Sequence, residues 1–257
     1  AFEPLDSFIA RDKDVDPITP TPDKYYPAAW NEASYEGKVY AIPLGTDNRV
    51  LYYNKTVFKE NAAALRKAGL DPDRPPRTWS EVLAYSKVFT KFGPSGQLER
   101  AGFIPNYGNS WLYIYAFMMN ANWISPDGRT CQMNSPETRE ALQFMIDGYD
   151  LLGGYAEAQK FQSGLRGGSD DPLITGRVAM KIDGDWIISG LAKFGPTLDF
   201  GTAPPPVPDD RYYKRGKFAN EKDRFVTWIG GFSMAIPQGA RNLEGAWQYI
   251  KFMSSLE

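Results

Sequence analysis

The chain has 257 residues, 42% of them hydrophobic, and a formal net charge of −2 from 29 Lys and Arg against 31 Asp and Glu. That length buries one large core or two smaller ones, and a near-neutral balance with no basic block argues against nucleic acid, whose phosphates need clustered cations. The chain has no histidine, which removes the commonest general base and the commonest metal ligand, so neither a metal nor a cofactor is expected.

The one cysteine, Cys131, cannot form an internal disulfide, and its neighbours Thr130 and Gln132 supply no cation to lower its pKa, so it reads as structural. No apolar run approaches the length needed to span a bilayer, and the opening residues show no charged-then-apolar leader pattern. No GxxxxGK[ST] phosphate loop occurs, so nucleotide chemistry is not expected in this chain. Aromatic residues make up 14%, enough to furnish either a ring-rich core or a cleft whose walls stack on a flat ligand face.

Taken in order, residues 1–34 carry five prolines and predict short turns and helical pieces. Gly37 to Pro43 reads as a turn and a short strand stopped by the proline, and Val50 to Tyr53 as a second strand. Val57, Phe58, Ala62 and Leu65 recur at helical spacing up to a stop at Gly69. Thr78 followed by Glu81 forms a capping box that opens a helix to about Phe92. A strand follows at Ala101 to Pro105 and a buried helix at Trp111 to Ala121.

Ser135-Pro136-Glu137 supplies a cap, a first-turn proline and an acid at the positive dipole end of the next helix, which runs to Gly153-Gly154. Asp171-Pro172 to Gly176 predicts a short helix, Val178 to Ile182 a strand, and Trp186 to Phe194 a helix. Residues 203–224 read as a long polar loop, Phe225 to Pro237 as a strand pair or one long bent strand, and Leu243 to Met253 as an amphipathic helix. Interleaved strands and helices point to α/β layers.

Four stretches carry a resemblance: YEGKVYAIPLGTDNRVLYYNKTVF (Tyr35 to Phe58), PPRTWSE (Pro75 to Glu81), ITGRVAMKIDGDW (Ile174 to Trp186) and WIGGFSMAIPQGARNLEGAWQYIKFM (Trp228 to Met253). Each is weak alone; in this order and spacing they resemble the family-one extracellular solute-binding proteins of the maltose-receptor type. The resemblance implies a type II periplasmic-binding-protein fold, α/β, with two lobes joined by crossing strands and the first lobe incomplete. Residues 1–46 would hold part of the first lobe and the first crossing, 47–226 most of the second lobe, and 227–257 the return crossing and part of the first lobe. Members of the family are longer at both ends, so the chain is expected to be an excised piece.

The function implied is capture of a sugar between the lobes and delivery to the membrane subunits of an ATP-binding cassette importer, in the periplasm or at the outer cell surface on a membrane anchor. The resemblance places a stacking indole at Trp186 in the Gly184-Asp185-Trp186 motif, a hydroxyl-binding acid at Asp47, and a second stacking ring at Trp111 beside Asn109. Gly230 and Gly231 would let backbone approach the ligand. A sugar offers an apolar C–H face and a rim of hydroxyls, which suits indoles plus charge-assisted oxygen acceptors. Against these readings, Trp186 and Trp111 could be helix core anchors, Asp47 a turn cap, and the glycines a bulge or hinge. Asp183 and Asp185 read as a solvated turn, and Trp30, Trp79, Trp228 and Trp247 as packing residues. The rival function is a glycoside hydrolase, which would need two carboxylates facing each other across the scissile bond.

Overall fold

The computed structural model describes residues 1–255, which divide into two compact units: Ala1–Asp47 with the stretch from Ile229 onward, and Asn48–Trp228. In the first unit, strands β1 (Ser34–Tyr35) and β2 (Lys38–Val39) form a hairpin. Its two-residue loop, Glu36-Gly37, has φ of 48° and 75°, the doubly positive geometry that matches strand twist and that glycine tolerates.

Strand β3 (Ala41–Asn54) runs without interruption through Pro43, where the sequence predicts a stop. Proline fixes φ in a range compatible with extended backbone, so it costs one ladder donor without turning the chain. The core of the first unit is Leu5, Trp30, Ile42, Ile236, Trp247 and Ile250. Within it, Asp12 accepts hydrogen bonds from Trp247 Nε1 (2.7 Å) and Lys251 Nζ (2.8 Å), and Lys251 also reaches Asp16 (2.5 Å). Arg11, then Lys251 and Trp247, hold the Asp12 carboxyl well below the usual carboxylate range.

The second unit is built on a sheet of order β4-β5-β6-β3-β7, with β4 Lys91–Phe92, β5 Leu98–Gly108, β6 Val178–Gly184 and β7 Phe200–Ala203. Only β5 and β6 run parallel; β3 lies antiparallel to β6 with Arg49 opposite Gly184 and Leu51 opposite Ile182. All seven residues of β6 are buried, as a central strand covered on both faces requires. The helices Trp79–Phe89, Leu112–Met118 and Pro136–Asp150 supply Val82, Tyr85, Tyr115 and Phe144 to the core against Phe103, Met180 and Ile182. Thr78 caps the first of these by accepting from Glu81 N (3.2 Å), while the Glu81 carboxylate binds Arg77 N (2.7 Å). Ser135 caps the third by accepting from Thr138 N (3.1 Å).

Several elements differ from expectation for local reasons. The helix expected to run to Gly69 breaks at Asn61 into Lys55–Glu60 and Ala62–Lys67, and the Asn61 side chain donates to Val57 O (2.7 Å). Residues 172–176 are turns and not a helix, because Asp171 accepts from Leu173 N (2.8 Å) as an Asx turn and Gly176 has φ of 70°. The expected polar loop at 203–224 contains a helical turn, Asp209–Tyr212, and buries Val207, Arg211 and Phe218. Arg211 is 1% exposed and donates Nε to Met118 O (2.7 Å), with its guanidinium 4.5 Å from the Phe218 ring centroid. Strand β8 (Ile229–Ala235) pairs with β3 and begins four residues later than expected.

Candidate functional site

In the second unit, the antiparallel register of β3 and β6 puts Arg49 across from Gly184. Just past Gly184 the chain turns into the helix Ile187–Phe194, and the Trp186 ring folds back over the glycine. A Cβ at Gly184 would lie 1.9 Å from Trp186 Cζ3, so the spacing Gly-x-Trp is what allows the ring to sit there. The indole remains 43% exposed. Below it, Tyr52 donates its hydroxyl to Gly184 O (3.0 Å), and burial beside Asp183 and Asp185 pushes the phenol up to about 12.

The Arg49 guanidinium, 4% exposed, lies between two indoles: 4.7 Å from the Trp186 ring centroid and 4.6 Å from that of Trp228. The backbone fixes this node as well. Arg49 N donates to Trp228 O (3.3 Å) and Thr227 Oγ1 donates to Arg49 O (2.6 Å). Trp228 packs edge-on to Tyr113 (5.8 Å between centroids), and Tyr113 packs edge-on to Trp111 (5.6 Å). A continuous row of side chains therefore joins Trp186 to Trp111, whose ring is 48% exposed at the start of the helix Leu112–Met118.

Asn109 belongs to the same region of the unit. Gly108 turns the chain with φ of 71°, Asn109 N donates to Ile182 O (3.2 Å), and Asn109 Nδ2 donates to Asp183 Oδ1 (3.3 Å). Asp183 is buried and 3.4 Å from Lys181 Nζ, so it is not the solvated turn acid expected of it; Asp185 is exposed. The carboxylate has an ion-pair partner inside the sheet, which removes the need for water.

The first unit holds the other expected residues. Asp47 is half-buried near the middle of β3. Just before it, Gly45 and Thr46 line a cavity of about 530 Å³ together with Asp23, Tyr25 and Tyr26. Gly230 is buried and lines a smaller cavity of about 110 Å³ with Ala28, Ala29, Glu32 and Thr46. At Gly231 a Cβ would lie 1.9 Å from Gly45 O, so the close approach of β8 to β3 is what demands glycine there.

Sequence reasoning missed Arg49 and assigned Trp228 mainly to packing. The signal for Arg49 was present: it is a charged residue opening the otherwise apolar strand segment Val50 to Tyr53, and a buried cation needs a partner. Trp30, Trp79 and Trp247 are core residues, as read. Cys131 is exposed, and its backbone bridges Ile124.

The sequence profile described as bacterial extracellular solute-binding protein matches residues 1–257. The chain belongs to this family. Among solved structures, the mannobiose-bound form of the protein CpMnBP1 superposes with a TM-score of 0.76 at 30% identity, covering 98% of this chain and 57% of that one. The maltotriose-binding protein of Pyrococcus abyssi (strain GE5 / Orsay) is 23% identical over 263 residues, 99% of this chain and 47% of its own. The sn-glycerol-3-phosphate-binding periplasmic protein UgpB of Shigella flexneri is 33% identical over 98 residues, 38% of this chain and 18% of its own. The expected resemblance is thus borne out, and the fold is the α/β type II periplasmic-binding-protein fold. This solute-binding chain spans about half the length of the maltotriose-binding protein and of CpMnBP1. Among its described residues no helix is long and apolar enough to cross a membrane.

Proposed function

We propose that this solute-binding protein captures a carbohydrate outside the cytoplasmic membrane and delivers it to the membrane subunits of an ATP-binding cassette importer. The observation that carries the reading is the exposed Trp186 indole, seated over Gly184 and backed by Arg49. Such a ring offers a flat apolar face at low entropy cost, and the half-buried amide of Asn109 in the same unit suits a hydroxyl rim. The relatives named for mannobiose and maltotriose support the same substrate class.

In this reading Trp111 contacts the ligand alongside Trp186, and the protein works in the periplasm or held at the cell surface. On the same reading the protein binds and releases its ligand without cleaving it.

A thermal-shift screen against mono-, di- and oligosaccharides tests the proposal, since a ligand that binds only the folded state raises the melting point. The expected result is a shift for at least one saccharide, with a change in tryptophan emission that the folded Trp186→Ala variant loses. Release of shorter sugars on incubation with oligosaccharides would favour the hydrolase instead.

A further inference from the structure

We propose that Arg49 is a positioning residue: its guanidinium, inserted between Trp186 and Trp228, sets the Trp186 indole in place before ligand arrives. The inference rests on the carbohydrate reading for its effect on affinity, and on the geometry alone for its effect on the ring.

Trp186 precedes its helix and is 43% exposed, so core packing restrains only part of it. A half-exposed indole that must adopt one orientation to stack on a ligand loses rotamer freedom on binding, and that loss weakens affinity unless the ring is ordered beforehand. Arg49 can order it because it is ordered itself. Its backbone is locked to Thr227 and Trp228, its position across from Gly184 is set by the β3–β6 register, and its side chain is 4% exposed. A planar cation fits between two ring faces in a way that an aliphatic stem or an ammonium does not. At 4.7 and 4.6 Å from the two centroids it contacts both indoles at once, so it ties Trp186 to Trp228 and through Trp228 to Tyr113 and Trp111. Burial keeps the guanidinium itself from serving as a main contact for solvent-borne ligand.

The test compares Arg49→Met, which keeps the stem and loses the charge, with Arg49→Lys, which keeps the charge and loses the plane. The first readout is the indole N–H resonance of Trp186, assigned by its disappearance in Trp186→Phe, with that of Trp247 in the first unit as internal reference. The Trp186 resonance is expected to shift and broaden in Arg49→Met, less so in Arg49→Lys, while Trp247 stays put. The second readout is affinity for whichever saccharide gives the largest thermal shift. It is expected to fall about tenfold in Arg49→Met and by less in Arg49→Lys, a loss of the size that one desolvated cation–ring contact and its pre-ordering account for.

An unmoved Trp186 resonance in Arg49→Met overturns the proposal, as does movement of Trp186 and Trp247 together, which marks general loosening. Unchanged saccharide affinity in a variant whose Trp186 resonance has moved also overturns it. Should the parent bind no saccharide at all, the carbohydrate reading fails and the resonance alone decides the role of Arg49. If Arg49→Met does not fold, Arg49→Lys carries the same comparison.

Discussion

The ring of Trp186 occupies the space above Gly184 that any other residue's Cβ would fill, with Cζ3 1.9 Å from the ideal Cβ position. The two residues are therefore one unit: the glycine's missing side chain is the seat of the indole. Because Gly184 is also the partner of Arg49 across the strands, displacement of the ring disturbs the stacked row from one end.

Gly184→Ala is accordingly expected to swing Trp186 out of its seat. Its saccharide affinity should fall about tenfold or more, with a red shift of tryptophan emission, while stability drops by only about 1–2 kcal/mol because the ring is on the surface. Fluorescence titration and urea unfolding on the same preparation check this. An unaltered emission spectrum would mean that the ring does not need the seat.

Glu81 gives a pH prediction. Burial raises its carboxyl, but Arg74, which binds both carboxylate oxygens at 2.9 Å, and Arg77 outweigh burial and bring it to about 2. A depressed folded-state pKa stabilises above the unfolded value of 4.5, and that stability is lost as pH falls from there towards 2. Glu81→Gln is expected to cost about 2 kcal/mol at pH 7, where charge-assisted bonds are lost. In denaturant titrations at pH 7, 4 and 2.5, the gap between variant and parent should narrow steadily.

Arg211 tests the buried loop. Its guanidinium satisfies Met118 O at 2.7 Å, bonds Asn120 Oδ1 and covers the Phe218 ring. Arg211→Met keeps the volume but leaves the Met118 carbonyl without that donor, so a loss of about 3 kcal/mol is expected. Proteolysis should then cut first within residues 203–224, which the parent protects.

Gly231→Ala probes the first unit. A Cβ 1.9 Å from Gly45 O forces β8 away from β3, and a loss of about 2–3 kcal/mol is expected. The near-ultraviolet circular dichroism of the buried Trp247 reports it.

Much of the fold was legible because local chemistry and tertiary packing agree. The caps at Thr78 and Ser135 accept from Glu81 N and Thr138 N as their sequence patterns imply, and Val178 to Ile182 lies in the strand its residues suggest. The failures fall where one residue's local signal was overridden. Pro43 reads as a stop, yet its fixed φ suits the long strand that contains it. Arg211 reads as a solvated loop charge, yet a backbone carbonyl and a ring make burial tolerable. Within the candidate site, Trp186 was singled out by its Gly-x-Trp motif and Trp111 by the resemblance alone, since the residues from Trp111 to Ala121 read as a buried helix and the 48% exposure of the Trp111 ring leaves no local mark. The role of Arg49 was not legible, because it depends on the register that brings position 49 opposite position 184, and pairing between strands so far apart in sequence leaves no local mark either.

Cys131 sits exposed, and the next residue bonds back to Trp123: Gln132 N donates to Trp123 O at 2.8 Å. The Trp123 ring in turn lies edge-on to Tyr113, 6.3 Å away. Since no second thiol competes, a maleimide dye can be attached at one defined place, a short step from the aromatic row. These 257 residues thus carry their own anchoring point for an optical reporter beside the aromatic row, and no cysteine has to be introduced to build one.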